Sequence, residues 1–486
     1  MLLKDFNFGF ADASKEYLYI KDLFDRGFHD PNKNVEKLLE EPKYMIVGRK
    51  GVGKTALLSK IKFLTENNTN SHSEVMSLSS LEYNTFKKTK IDKDVLGSNK
   101  YKSSWEFILL ISIVKQLFKN EVVENDKFLN LITFIESIGI DVSDTKIKRD
   151  VTFLNKLKMG ANLHVIKAEI EKDFNESADD FSYNLNYLNE KIKYTLEQIY
   201  LPDYKLYLLI DGLDDVLRYR VDQHEIIKSL IRSIDELNLF FYDLDINIKV
   251  ILSIREDILT ELSDPDMNKI KRDGSINVDW SSKQNDLIDL VKKRLVFSGL
   301  DEYEAQEYLD NIFNKKMRRT DTWSYIFDRT LFKPRDILQF FIICQEIYPD
   351  NDKISPGELK DAIKRYSNDY LIEEMKDELS GFIKEDYIQT LPEVFKQIGN
   401  KDFKKDDFKK YFDDVGKSNQ LSESDVNMIL TSLYSSGYIG QLIRTKSHQG
   451  SRTSVQFKYR NPSARLDFRN DFIIHYGIKA GLGIAL

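Results

Sequence analysis

The spacing of apolar and polar positions gives the first half of the chain a different rhythm from the second. In the first half, short apolar runs alternate with amphipathic stretches. "KYMIVGR" reads as a buried strand closing on Gly48, and "KTALLSKIKFL" as the helix after it. "SHSEVMSLSS" reads as a second strand and "SSWEFILLISIVKQLF" as a well buried helix. "KLYLLIDGLDD" is a strand ending in acids, "IRSIDELNLFFYDL" a helix, and "INIKVILSIRED" a β-branched strand ending in an arginine. Strands alternating with helices predict βαβ units and a parallel sheet. "IKDLF" and "NVEKLLEE", ahead of Pro42, read as short helices. Between about residues 120 and 200 the text is polar, rich in Lys, Glu and Asn, and helical in pattern, which predicts a helical insertion between core strands.

After Trp280 the periodicity becomes all-helical: "QNDLIDLVKKRLVF", "DEYEAQEYLDNIF", "PRDILQFFIICQEIY". "PDNDKISPGE" (349–358) is the clearest punctuation there. From about residue 380 come further helices, including "FKKDDFKKYF" and "ESDVNMILTSLYSSG". They are followed by two β-like arms, "YIGQLIRTKSHQGSRTSVQFKYRNP", around a polar turn. Helices followed by a hairpin predict a winged-helix domain.

Bulk composition narrows the class. A chain of 486 residues with 41% apolar and 31% charged residues can bury large cores. Only 21 glycines and 9 prolines favour long helices over many-turned sheets. The net charge of −7 leaves nucleic-acid contact, if any, to a local patch. A single cysteine, Cys344 in "FFIICQEI", excludes an internal disulfide framework and a Cys-rich zinc site, and reads as a small buried apolar residue. The longest apolar stretch, "FILLISIV" (107–114), is far below the roughly 18 residues that span a bilayer. With no signal-peptide pattern in "MLLKDFNFGFADASKEY", a cytoplasmic location without membrane contact is expected.

One motif carries specific chemistry. "GRKGVGKT" (48–55) fits G-x-x-x-x-G-K-[ST] and stands between the expected strand and helix. Gly48, Gly51 and Gly53 let backbone N–H groups curl around a β-phosphate, with Val52 and Ala56 completing the loop and first turn. The helix N-terminus adds positive potential. Lys54 is placed to reach the β- and γ-phosphates, and the Thr55 hydroxyl to ligate Mg²⁺. Asp211, at the tip of a neighbouring strand, is the expected second magnesium residue. Asp214 and Asp215 either orient the attacking water or cap the next helix. Arg255, ending "VILSIR", either senses the γ-phosphate or pairs with the adjacent Glu256 or Asp257. Arg335 in "KPRDIL" either reaches over the nucleotide or is a surface arginine after a helix-starting proline. Trp105, Trp280 and Trp323 read as core anchors. The expected segments are therefore an N-terminal helical part (1–40), a P-loop ATPase core (41–275) with its insertion, a helical lid (276–380) and a winged-helix-like domain (381–486).

The last of these gives mixed signals about DNA. Its candidate recognition helix has no Lys or Arg and carries Glu423 and Asp425, against ordinary groove reading. The arms and tail carry Arg444, Lys446, Arg452, Lys458, Arg460, Arg465 and Arg469, which suits phosphate contact led by the wing. Docking of a protein is the other reading.

Four features together, "GRKGVGKTALL", "LLIDGLDD", "SIRED" followed by "DWSSKQNDLIDLVKKRL", and "KPRDIL", resemble bacterial STAND-type or ORC/AAA+-like P-loop ATPases. More narrowly, the chain resembles stand-alone P-loop ATPases that recur in antiphage defence islands. The pattern Phe8-Gly9-Phe10-Ala11-Asp12-Ala13 with Glu16, the position of Trp105, and the text at 457–462 and 472–484 carry that likeness. The resemblance implies ATP and Mg²⁺ binding, nucleotide-controlled homo-oligomerisation and slow hydrolysis. AAA+ members place a glutamate after the magnesium aspartate, where this chain has Gly212, and STAND proteins often carry one at the position of Asp215; both departures put fast turnover in doubt. Three readings follow: an ATP-dependent switch in antiphage defence, a DNA-handling ATPase of the replication-initiator or helicase-loader kind acting through its C-terminal domain, and an ATP-binding scaffold for an effector protein encoded by a neighbouring gene.

Overall fold

The computed structural model describes residues 1–90, 100–160, 165–166, 168, 181–199, 201, 203–213, 223–262, 265–281, 284–317, 319–416, 421–447 and 450–484. They gather into two compact units. One comprises residues 34–47 and 60–277, the other residues 1–33, 48–59 and 278–486.

The first unit is built on a five-stranded parallel sheet of β1 (Met45–Gly48), β2 (Ser71–Ser77), β3 (Lys205–Asp211), β4 (Ile248–Arg255) and β5 (Ser275–Asn277), in the order β2-β3-β4-β1-β5. β1 and most of β3 and β4 are buried on both faces, as their unbroken apolar runs require. Three-residue β5 is too short to show a periodicity and was not anticipated; it pairs in parallel with β1, Ile276 opposite Ile46. The helix Lys102–Lys119 is covered nearly all round, and the indole of its Trp105 donates to the Ile226 carbonyl at 2.9 Å. The helices Asp126–Ser137, Ile147–Lys158 and Phe181–Leu196 fall in sequence between β2 and β3. They share the sheet's hydrophobic core: Leu131, Leu154 and Leu185 belong to one buried cluster with Leu110, Leu208 and Ile210. A buried ion pair, Lys115 to Asp150 at 2.6 Å, ties the central helix to the second of these. Burial pushes the Asp150 carboxyl up to about 6 despite the ammonium beside it.

The second unit is mostly helical. Helices Gln284–Phe297, Glu302–Asn311, Thr322–Phe327, Pro334–Ile347 and Pro356–Tyr366 follow one another, with a small hairpin of β6 (Lys316–Met317) and β7 (Thr320–Asp321). A π-helical segment, Ser367–Leu371, runs without a break into the helix Ile372–Leu379. The N-terminal segment is strapped onto this bundle. Gln345 donates to the carbonyls of Leu3 and Phe6, and Glu16 forms a buried ion pair with Arg294 at 2.8 Å. Cys344 is buried, as the sequence indicated. The C-terminal part has helices Glu385–Ile398, Lys405–Val415 and Glu423–Ser436, then an antiparallel sheet of β8 (Ile439–Ser447), β9 (Gly450–Gln456) and β10 (Asp471–Ile474) in the order β10-β8-β9. Ser422 caps the third helix in a capping box and left-handed Gly437 ends it. Among the described residues no helix is long and apolar enough to cross a membrane.

Candidate nucleotide-binding site

The loop begins where β1 ends. A side chain at Gly48 would stand 2.8 Å from the Val278 carbonyl and from the Val52 side chain, so only glycine fits. Gly51 and Gly53 take φ of +82° and +100°, the left-handed region open to glycine without strain. Val52 is buried, and the indole of Trp280 donates to its carbonyl at 3.0 Å. Lys54 starts the helix Lys54–Glu66. Its ammonium is buried and donates back to the carbonyls of Gly48 (3.2 Å) and Arg49 (3.1 Å), so it closes over the loop itself. Thr55 and Ala56 occupy the first turn, both half-buried.

The same unit brings a second set of cations to this loop. Lys333 is the N-cap residue of the helix Pro334–Ile347, with Pro334 at its first position. A Cβ built on Gly51 would lie 3.3 Å from the Lys333 side chain and 3.6 Å from that of Arg335. Arg335, 30% exposed, lies against the loop, reaches the Ala11 carbonyl at 3.3 Å and pairs with Glu374 at 3.7 Å. Lys50 pairs with Glu374 at 3.4 Å and Asp377 at 3.2 Å. Buried Lys333 faces buried Glu378 at 3.5 Å. Arg49 donates to the Leu331 carbonyl at 3.1 Å and stacks over the Tyr459 ring at 5.6 Å. Beneath these, Asp336 is fully buried; burial holds its carboxyl above the usual range while it accepts from the Leu331 N–H at 2.8 Å. Tyr459 in turn bonds His475 at 3.0 Å, whose imidazole burial and the nearby Arg460 and Arg329 push down to about 3.

The strand-end candidates belong to the other unit. Asp211 ends β3, opposite Ser77 of β2, and accepts the Gly212 N–H at 2.9 Å. Gly212 has φ +85°, and a Cβ there would lie 2.9 Å from the Ser79 nitrogen and 3.2 Å from the Ser77 hydroxyl. A glutamate directly after Asp211 would strain this backbone conformation. Asp214 and Asp215 lie outside the described residues. Arg255 is 1% exposed at the end of β4 and grips Asp257 with two nitrogens, Nε to Oδ1 at 3.0 Å and Nη2 to Oδ2. The pairing alternative foreseen for it is the one present, with Asp257 rather than Glu256.

The loop and Arg335 thus lie together in one unit, beside Lys50, Lys333, Trp280 and the carboxylates of Ile372–Leu379, which the sequence did not assign to the loop; Asp211 and Arg255 end strands of the other unit. Lys50 occupies an unconstrained position of the motif, and Trp280 reads like any core tryptophan. The one usable signal was Lys333, a cation directly before the proline that starts Arg335's helix.

Comparison with known proteins adds a limited amount. The profile of a family described as the FunZ-associated C-terminal helical domain matches residues 285–373, the helical part of the second unit. Among solved structures, the chain is similar to the Orc1 protein of Aeropyrum pernix, solved in complex with DNA, at 10% identity, 96% coverage of both chains and a TM-score of 0.41. It is also similar to Cdc6p of Pyrobaculum aerophilum at 13% identity, 94% coverage of both and a TM-score of 0.29. A comparison with curated proteins gives no match.

Proposed function

We propose that the chain binds ATP on the loop Gly48–Thr55 and acts as a nucleotide-controlled switch that turns over slowly. The observation that carries this reading is the direct hold of the helical region on the loop. Lys50, Gly51 and Arg49 touch residues of three later segments, so an anion on the loop meets the groups that also fix the lid and the C-terminal sheet. A ligand shifts such an equilibrium only through different affinities for its two arrangements, and these shared groups supply the difference.

The donor set suits a magnesium nucleotide. The left-handed glycines aim backbone N–H groups for phosphate, and Lys54 supplies an ammonium already held over the loop. The Thr55 hydroxyl and the Asp211 carboxylate are hard oxygen donors of the kind Mg²⁺ takes, and the ion would neutralise charge on the β- and γ-phosphates. In this reading Arg335 contacts the nucleotide from the lid. Arg255 senses the γ-phosphate by exchanging Asp257 for it. Asp214 or Asp215 orients the attacking water. Gly212 supports slow turnover, because the residue directly after Asp211 carries no carboxylate and a larger one would strain the backbone there.

Homo-oligomerisation on ATP, a setting in antiphage defence and an effector partner from a neighbouring gene rest on the resemblance of the motifs. A DNA-handling ATPase is the second reading, favoured by the three helices and antiparallel sheet of a winged-helix-like C-terminal part. Several of its basic residues are already neutralised: Arg444 by Asp402 and Asp471, Arg460 by Asp328, Arg469 by Asp467. That weakens phosphate contact by the wing.

The test compares wild type and Lys54→Ala for ATP binding, ATP turnover and oligomer size, with and without duplex DNA. We expect binding and ATP-dependent assembly in wild type, a loss of affinity of about 100-fold or more in the variant, and no effect of DNA. Wild type that binds no ATP would overturn both readings; turnover stimulated by DNA would favour the second.

A further inference from the structure

The three cations set around the phosphate loop, Lys50, Lys333 and Arg335, all lead to one short stretch of helix. Lys50 meets Glu374 and Asp377, Arg335 meets Glu374, and Lys333 meets Glu378. The three carboxylates lie within five residues of one another, so a single helical turn presents them together. None of the three cations is an idle surface charge. Lys333 and Glu378 are each 4% exposed, and Lys50 is 14% exposed. An ammonium buried to that degree requires an anion or a set of acceptors.

A triphosphate requires the same thing from the opposite side. Lys333 and Arg335 pack against Gly51, one of the glycines whose conformation shapes the cradle, and Lys50 is the residue just before it. We propose that Lys50 and Lys333 are phosphate-binding residues, and that Glu374, Asp377 and Glu378 form an acidic clasp competing with a nucleotide's phosphates for Lys50, Lys333 and Arg335. The proposal rests on the reading of this loop as a nucleotide site and names how that site is regulated. A carboxylate and a phosphoryl group offer the same kind of oxygen acceptors to Lys and Arg, so either can satisfy these cations. Three carboxylates and three or four phosphate charges cannot both be held there without strong repulsion.

Release of the clasp has unequal parts. Glu374 and Asp377 also line a groove of about 310 Å³ with Glu373, Ser380 and Glu385, where a freed carboxylate is hydrated at once. Glu378 has no such exit, and it also accepts from the buried Tyr438 hydroxyl at 2.9 Å, at the start of the C-terminal sheet. Freeing Lys333 therefore disturbs a contact between the lid and the C-terminal part. Competition at the loop is in this way converted into a change at Tyr438.

The decisive experiment titrates the full chain with a fluorescent ATP analogue plus Mg²⁺, in three forms: wild type, Glu374→Gln/Asp377→Asn, and the triple variant that adds Glu378→Gln. The double variant alters only partly exposed carboxylates, which guards against loss of folding. We expect roughly tenfold tighter binding in the double variant, the scale of one or two partly screened ion pairs. The triple variant is expected to bind tighter still, with faster amide exchange at residues 372–379. Nucleotide added to wild type should speed exchange over the same residues. Equal or weaker binding in both variants, with wild type binding normally, would overturn the clasp and leave the nucleotide site standing. Absence of binding in all three forms would overturn the nucleotide site as well.

Discussion

The sheet unit and the helical unit both bury charges, but they set them in different surroundings. In the first, Leu110, Ile111, Leu208, Leu209 and Ile210 are fully covered in one large aliphatic and aromatic cluster, crossed by the buried pair of Lys115 and Asp150. In the second, charges lie deep: Glu16 with Arg294, Lys333 with Glu378, and Asp336 and His475 beside them. Aliphatic packing carries no proton and attracts no anion, whereas a charged pair can be titrated and can be met by a competing anion. The difference teaches where regulation can act. A pair sealed inside an apolar cluster, as Lys115 with Asp150 is, offers a ligand nothing to compete for; carboxylates and ammonium groups set beside a phosphate loop do.

The largest test of that contrast is Arg294→Leu. It leaves Glu16 charged and buried at the strap that holds the N-terminal segment, and should cost about 3–5 kcal/mol, read by denaturant unfolding. A cost under about 1 kcal/mol would mean the buried charges of this unit are incidental to it. Next in size is Gly212→Glu in the sheet unit. The left-handed backbone and the Ser79 nitrogen 2.9 Å away put any side chain there under strain. We expect a loss of about 2 kcal/mol or more with no gain in ATP turnover. A stable variant with faster turnover would contradict the steric account of slow hydrolysis.

A third test separates the units by acid. Below about pH 6.5 an unfolded His475 takes up a proton that the folded unit refuses until about pH 3. Stability of the helical unit is thus lost as pH falls through that window, by up to about 1.4 kcal/mol per pH unit. Asp150 has the opposite sign, since its folded carboxyl protonates near 6, before the unfolded one does, and the sheet unit gains from about pH 6 down to about 4. Amide exchange during acid titration should therefore open the helical unit first; simultaneous opening would erase the distinction.

Much of this fold was legible because periodicity reports burial. "LYLLI", short, unbroken and ended by acids, suits a strand covered on both faces, and "KTALLSKIKFL" suits a helix with one stripe turned inward. The loop was legible because glycine spacing reports backbone conformation. What stayed hidden depends on partners hundreds of residues away. Nothing near Lys50 announces Glu374, and nothing near Arg49 announces Tyr459. Gly212 shows a halfway case: its departure from the family pattern was visible, but the reason, Ser79 pressed against it, required the fold.

The contact between Arg49 and Tyr459 has a consequence in time. The loop leaves the ribosome early, yet the ring under its arginine is made some 400 residues later. At about 5–20 residues per second that is roughly 20–80 seconds of synthesis. The strands of the sheet can assemble during that interval, but the loop's own packing cannot. A nascent chain therefore carries the phosphate motif long before it carries the groups that restrain it, and a nucleotide arriving then would meet a cradle not yet under control.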